Sequence, residues 1–446
     1  MTKSIKRIFR RLLVFLGIAG RKRVYIMTYQ WADNFGAQMQ NYALAEKIKE
    51  LGYYPRTIKW GYNYYNSLGV RRDTLRFFSD GKIFKTKLCY TEKELKKAIY
   101  EGSRFIFGGD QIFRCWKGQV AGIEMPILRY YGDFVSGKKV IASYAASFGI
   151  DRFEGDKYLT EECRKLLKRF DRLSVREQSG VDILKHTFGV NGIEVLDPVF
   201  LFSEQKYEEL ILSANNLVEH EPGYIGYMRL GDKSTLYPRT NKILENRYII
   251  NTMYDEHGAY NTVEQWLYNF KNALFVITTS FHGTAFAIIF HKPFIAIHPH
   301  GHDKRISNLL ENLELQNCQR KTIDDISADD LSIFIDWHKT DRIIQSRQVE
   351  SLNYLNEILH LKPTYKVPYH NRMLRNIRTR YERAYYYRKK AQNELDHKFG
   401  KRQRIIKLII KFLVDGKKYN KLERDYMLFF QDSKSRFIRV LGRFYN

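Results

Sequence analysis

Only four cysteines occur in 446 residues, and Cys89, Cys115, Cys163 and Cys318 stand far apart. That spacing argues against a disulfide framework and shows no cysteine-based metal pattern. It suits a reducing compartment such as the cytoplasm. No G-x-G-x-x-G fingerprint opens a helix after a strand pattern, so a dinucleotide cofactor is not expected. Gly223-Tyr224-Ile225-Gly226 is no such turn, because its glycines fall inside a strand pattern. The apolar run Leu12 to Gly20 is too short to span a bilayer, which takes about 20 apolar residues. It follows a basic stretch as a signal peptide would, but Arg21, Lys22 and Arg23 come directly after it and no small-residue cleavage site is evident. It reads as an interfacial segment. His298, His300 and His302 alternate on an irregular loop with no acidic cluster beside them. That is a poor match to zinc spacing, so no metal is assigned. No internal repeat is evident.

What the chain has in excess is positive charge, at +26 overall. The charge is concentrated at the ends. Residues 1–23 hold eight Lys/Arg and no Asp/Glu, and residues 366–446 hold 23 Lys/Arg against seven Asp/Glu. The stretch between is nearly neutral, at +2. In the tail the basic residues are mixed with bulky apolar ones, as in Ile405-Ile406-Lys407-Leu408-Ile409-Ile410-Lys411-Phe412-Leu413. This mixture suits an anionic membrane surface, where each basic residue contributes about 1 kcal/mol and apolar side chains add more. Nucleic acid is not expected as a partner. The alternative is a helical hairpin packed on the core or on another protomer. Oligomeric state is not indicated.

From residue 24 onward, apolar strand-like runs alternate with helical patterns, which predicts parallel sheets with crossover helices. Strands are expected at 24–27, 104–107, 139–144, 172–175 and 193–196, and helices at 36–51, 92–100, 157–168 and 177–187. Residues 36–51 read as an amphipathic helix with Tyr42, Ala45, Ile48 and Lys49 on one face. After Asp197-Pro198 the pattern restarts, with strands near 224–227, 247–250, 274–277 and 294–297. The expected architecture is α/β: two Rossmann-like doubly wound domains facing a cleft. The expected segments are a basic amphipathic 1–23, domains at 24–197 and 198–340, a closing helix at 341–365 and a basic helical appendage at 366–446.

The strongest local signal is residues 274–293. Leu274 to Ile277 is a buried-strand run, Thr278 to Ser280 a turn, and Gly283-Thr284 opens an apolar helix that stops before Pro293. His282 falls where the strand's carboxyl end meets the helix's amino end. Ligands of open α/β sheets bind there, and helix N–H groups favour an anion.

This stretch resembles the corresponding segment of the polysaccharide pyruvyl transferase family. Five further blocks agree in family order: Asn34 to Leu44, Phe107-Gly108-Gly109-Asp110-Gln111-Ile112-Phe113, Tyr144 to Gly149, Ser174-Val175-Arg176-Glu177, and Asp197-Pro198. The likeness covers roughly residues 24–320. Two positions differ: Ser280 stands where many members have Arg, and Gly109 where Ser is usual. The resemblance implies a GT-B-like arrangement of the two halves. It also implies transfer of a pyruvyl group from phosphoenolpyruvate, as a ketal, to a lipid-linked or polymeric sugar acceptor of a surface-polysaccharide precursor. No cofactor is implied. The expected location is then the cytoplasmic face of the inner membrane, reached through the basic ends.

Such a reaction needs an acid/base group and several anion donors. His282 is the first candidate for acid/base work or phosphate contact, since imidazole titrates near neutrality; a His that only caps the helix is the alternative. Asp110 is the second, as acceptor ligand or base, or else an N-cap. Arg305 is expected as an anion clamp that Ser280 cannot supply, or as a surface Arg opening the helix 305–313. Ser280, Gly283, Thr284, Asn34, Gly36, Gln38, Gln111 and Arg229 are expected to line the substrate site. Arg176, with Glu177 beside it, reads as an ion-pair residue. Two other readings remain open: a glycosyltransferase using a nucleotide sugar in the same cleft, and a non-catalytic membrane-attached assembly protein.

Overall fold

Two sets of short strands, most of them apolar, build two five-stranded sheets with the same winding. The computed structural model describes residues 22–29, 34–60, 81–89, 91–115, 125–229, 248–255, 257, 261–297 and 304–370. Nearly all of the two basic ends, with Leu12 to Gly20, and the loop holding His298, His300 and His302 lie outside them. All the described residues except Met125 and His370 belong to one compact unit.

The first sheet contains β1 (Arg23–Met27), β2 (Tyr54–Thr57), β3 (Arg104–Gly108), β4 (Gly137–Tyr144) and, from the far end of the described chain, β12 (Thr364–Lys366), in the order β12-β4-β3-β1-β2. A small parallel pair, β5 (Ser174–Val175) with β6 (Ile193–Glu194), is bridged to it through Ala142–Arg172 and Ala146–Val175. The second sheet contains β7 (Ile225–Met228), β8 (Ile249–Asn251), β9 (Phe275–Thr278), β10 (Phe294–Ile297) and β11 (Gln319–Arg320), in the order β11-β10-β9-β7-β8, all parallel. In each sheet the chain starts at an inner strand, goes to one edge, then returns to the other side. Strand order therefore reverses between β1 and β3 in one half and between β7 and β9 in the other. A crevice opens at such a point, beyond the carboxyl ends of the strands.

Four helices position the site: α1 (Phe35–Glu50), α2 (Phe281–Ile289), α3 (Arg305–Asn312) and α4 (Trp337–His360). The expectation of an amphipathic α1 is corrected. Every residue from Phe35 to Ala45 is buried, on all sides of the helix. Its first turns join the larger core cluster, where Phe35 stacks on Trp266 at 5.1 Å. Leu44, Ala45 and Ile48 pack with Val24, Ile106 and Tyr144 of the first sheet. Over residues 35–45 the helix, gripped by two cores, has no solvent face to pattern, and only its last turn, with Lys49 and Glu50, is exposed. Polar residues such as Asn41 meet buried partners instead: Thr57 Oγ1 donates to Asn41 Oδ1 at 2.9 Å.

The closing helix, Trp337–His360, starts and ends earlier than the expected 341–365. It begins at Trp337, where the Asp336 side chain accepts from Lys339 N–H at 3.0 Å. Its last turns return to the first sheet, with Tyr354 Oη donating to Ser143 O at 2.9 Å and Arg104 Nε to Leu359 O at 2.7 Å. Two further corrections follow. The first sheet is not wholly parallel, because β12 runs antiparallel to β4. And residues 366–370, expected to begin a helical tail, are not helical. Pro363 cannot continue α4 and biases Lys362 toward extended backbone, so the chain leaves the helix in a strand-like conformation. Lys366 Nζ then pairs with Asp171 at 2.6 Å, which fastens the strand. The helix expected at 177–187 is also split, into Gln178–Asp182 and a π-helical turn Ile183–Thr187. No helix among the described residues is long and apolar enough to cross a membrane.

Candidate active site

His282 is the second residue of α2, at the switch point of the second sheet. Its helix is started by Ser280, whose Oγ accepts from Gly283 N–H at 3.4 Å, so capping falls to Ser280 and not to the imidazole. Gly283 has no room for a side chain, because a Cβ there would lie 2.2 Å from Thr278 Oγ1. The imidazole faces α1. A Cβ on Gly36 would come within 2.0 Å of His282 Nδ1, so the ring lies directly on the Gly36 backbone. The amino ends of α1 and α2, one from each half, therefore meet at His282. The partial positive charges of two helix starts converge there, which favours an anion.

Asp110 follows β3 at the switch point of the first sheet. Two glycines let the chain reach it. A Cβ on Gly108 would fall 1.8 Å from Tyr144 O. Gly109 has φ +86°, and a Cβ there would fall 1.6 Å from Gln40 Oε1. Asp110 caps no described helix. Its Oδ1 accepts from Gln111 N–H at 2.8 Å and lies 3.6 Å from Arg176 Nη2.

Arg176, immediately after β5, is the hub that joins these residues. Its side chain is fully buried. Nη1 donates to Asp197 Oδ2 at 2.6 Å and to Gly109 O at 3.2 Å, Nε lies 3.7 Å from Glu177 Oε2, and the guanidinium stands 4.3 Å over the Phe281 ring. Asp197 Oδ2 in turn faces His282 Nε2 at 3.7 Å. Burial disfavours the Asp197 carboxylate, but His282 and Arg176 outweigh it and hold its pKa below the ordinary aspartate range. Burial disfavours the Arg176 charge too, and Asp197, Asp110 and Glu177 together reverse the balance and raise its pKa. For Glu177 burial wins, against the pull of Arg176 and Arg305, and its pKa is raised. Arg176→Met removes the guanidinium from among three carboxylates. It is expected to cost about 3–5 kcal/mol in urea unfolding, the scale of breaking a buried ion pair. A loss below about 1 kcal/mol would show that the cluster does not depend on Arg176.

The remaining expected residues separate into groups. Arg305 opens α3, half-buried, with its charge felt by Glu177. Asn34 caps α1, accepting from Ala37 N–H at 3.0 Å. Thr284 Oγ1 donates to Ser280 O at 3.1 Å within its own helix, and Gln38 is buried in α1. Gln111 Oε1 accepts from Arg114 Nη1 at 3.1 Å and packs against Gly149. Arg229 is exposed beyond β7. The geometry thus gathers His282, Gly36 and Asp110, with Arg305 near Glu177. It gives Asn34, Ser280 and Thr284 capping or intrahelical bonds. The membership of Asp197 and Glu177 was not foreseen, although the blocks Ser174–Glu177 and Asp197-Pro198 marked both. No group of three or more His, Cys, Asp or Glu suited to a metal occurs among the described residues.

Among solved structures, the chain is similar to Arabidopsis thaliana UGT89C1 complexed with UDP-L-rhamnose (7% identity, 76% of this chain and 99% of that one, TM-score 0.43). It is similar also to the S. aureus MnaA–UDP co-structure (11%, 78% and 100%, 0.42) and to the glycosyltransferase SnogD from Streptomyces nogalater (9%, 76% and 99%, 0.40). At these scores the likeness is distant. No curated protein matches the sequence. The family model described as Polysaccharide pyruvyl transferase matches residues 34–301, from the cap of α1 through β10. That span is more than half of the chain and includes Gly36, Asp110, Arg176, Asp197 and His282, so the protein belongs to the polysaccharide pyruvyl transferase family.

Proposed function

We propose that the protein transfers the pyruvyl group of phosphoenolpyruvate to two hydroxyls of one sugar in a surface-polysaccharide precursor, forming a ketal and releasing phosphate. The observation that carries this reading is the family match together with His282, held where the helix starts of both halves meet. The atoms balance without an oxidant. A proton is added to the methylene carbon, which becomes the methyl group. The first sugar oxygen bonds to C2 and loses its proton, phosphate leaves C2, and the second hydroxyl closes the ring as its proton goes to phosphate or solvent. His282 serves as the acid/base or phosphate contact, Asp110 as acceptor ligand or base, and Arg305 as a clamp for carboxylate or phosphate. Gln111 and Arg229 are the further candidates for the donor and acceptor surfaces, while Asn34, Ser280 and Thr284 shape them through the helix starts they hold. With Ser280 where many members have Arg, the anion contact falls in this reading to Arg305, whose guanidinium fork suits a carboxylate or phosphate.

The acceptor in this reading is lipid-linked or polymeric, and the basic ends hold the enzyme on the cytoplasmic face of the membrane that carries it. Donor identity is read by ligand-dependent melting of the full chain. A ligand at 100 times its Kd that binds only the native state adds about 2.7 kcal/mol of stability. Phosphoenolpyruvate is expected to raise the melting midpoint and a panel of nucleotide sugars to leave it unchanged. A shift with a nucleotide sugar alone would turn the reading to glycosyl transfer. No shift with either would favour a non-catalytic role.

A further inference from the structure

Asp197 makes two contacts through one oxygen. Oδ2 accepts from Arg176 Nη1 at 2.6 Å and faces His282 Nε2 at 3.7 Å, while Oδ1 accepts from Val199 N–H at 3.1 Å. Pro198 opens the short helical turn Pro198–Leu201, so the carboxylate is held by its own backbone as well as by Arg176. His282 Nε2 is enclosed and has no hydrogen bond among the described residues. A separation of this kind commonly tightens once substrate binds. The other nitrogen, Nδ1, lies on Gly36, where only a hydrogen atom separates the ring from the α1 backbone.

We propose that Asp197 is the positioning residue for His282: anchored by Arg176, it keeps Nε2 turned inward and leaves Nδ1 as the nitrogen that exchanges protons with the substrate. This rests on the pyruvyl-transfer reading only for what that substrate is. In the neutral ring the proton sits on Nε2 and the lone pair on Nδ1. Nδ1 takes the proton of the attacking sugar hydroxyl as the O–H bond breaks. The imidazolium so formed is balanced by Asp197, and as the sugar oxygen bonds to C2, Nδ1 passes that proton to the methylene carbon, which becomes the methyl group. Phosphate then leaves C2, and the second hydroxyl closes the ring as its proton goes to phosphate. No electron acceptor is needed. The same division of labour, with a buried carboxylate fixing the tautomer of a working imidazole, operates in hydrolytic triads.

The charged and titratable groups around this pair come from several elements. Arg176 and Glu177 follow β5, and Asp110 follows β3. Tyr144 of β4 and Tyr207 of the helix Glu204–Leu212 lie within electrostatic reach of Asp197. Arg305 acts on Glu177. Only Asp197 pairs directly with the imidazole among the described ion pairs. Removing its charge therefore takes away the one carboxylate among them that faces Nε2.

The test is 15N NMR of the full chain labelled at its 12 histidines, with His282 assigned as the resonance lost in His282→Gln. The wild type is expected to show the Nε2–H tautomer when neutral. Asp197→Asn is expected to weaken the preference for that tautomer. Glu177→Gln, which touches Arg176 and not His282, is expected to keep it. An Nδ1–H tautomer in the wild type overturns the proposal, as does an unchanged tautomer preference in an Asp197→Asn protein that still melts cooperatively. Should Asp197→Asn fail to fold, the wild-type tautomer decides alone. None of these readings requires phosphoenolpyruvate, so failure of this proposal and failure of the pyruvyl-transfer reading give different results.

Discussion

His282→Ala is expected to lower pyruvyl transfer by at least about 10²–10⁴-fold, the scale of a lost general acid/base, while the protein still melts cooperatively. The reason is position. His282 is the titratable side chain at the meeting of α1 and α2, and it is linked through Asp197 and Arg176 to Asp110 in the other half. The substitution shortens a buried side chain without touching the Ser280 cap or the β9 strand that precede it. Stability is thus expected to fall modestly and turnover severely. Near-normal turnover would remove His282 from the mechanism. Loss of cooperative melting would move its role from chemistry to packing.

Gly36→Ala is expected to be nearly as damaging, though it adds only one carbon and changes no polar group. The new Cβ would stand 2.0 Å from His282 Nδ1 and 2.3 Å from Cγ, so the imidazole or the start of α1 has to move. Displacing a working group by about 1 Å costs roughly 100-fold in rate. The neighbours leave little slack, because Phe35 is stacked on Trp266 and Ala37 N–H is held by the Asn34 cap. The check is kcat and KM for phosphoenolpyruvate alongside a melting curve. A variant with wild-type kcat would show that the contact between the two halves at His282 is not part of catalysis.

Much of this fold was legible because its strands are short runs of Val, Ile and Phe separated by helical patterns. The run Phe294-Ile295-Ala296-Ile297 forms β10 as expected, and α2 begins one residue before His282. Tyr54-Pro55-Arg56-Thr57 carries no apolar run, yet it forms β2, because pairing with β1 supplies what local propensity lacks. Nothing local in Thr364-Tyr365-Lys366 predicts that it crosses back to lie beside β4, some 220 residues away in sequence. In α1 one apolar face was expected, yet the polar residues Gln38, Gln40 and Asn41 are buried too, since the first turns of the helix lie between two cores.

The site was legible in part for the same reason. A strand-to-helix junction is a local pattern, and it marked His282. The hub was harder to read. Arg176 next to Glu177 in sequence predicts an ion pair, but its shortest bond is to Asp197, 21 residues on, and only the three-dimensional arrangement brings the two together. Ser280 and Asn34 were read as substrate contacts because small polar residues at a helix start suit either role. Their side chains are engaged with the backbones of their own helices.

The most direct measurement incubates the full chain with phosphoenolpyruvate and the polysaccharide and lipid-linked sugar fraction of its source cells, then compares phosphate released with acid-labile pyruvate bound to glycan. Equal amounts of the two, both requiring the acceptor and both lost in His282→Ala, are predicted. Phosphate release without glycan-bound pyruvate, or equal yields from His282→Ala, would contradict the account.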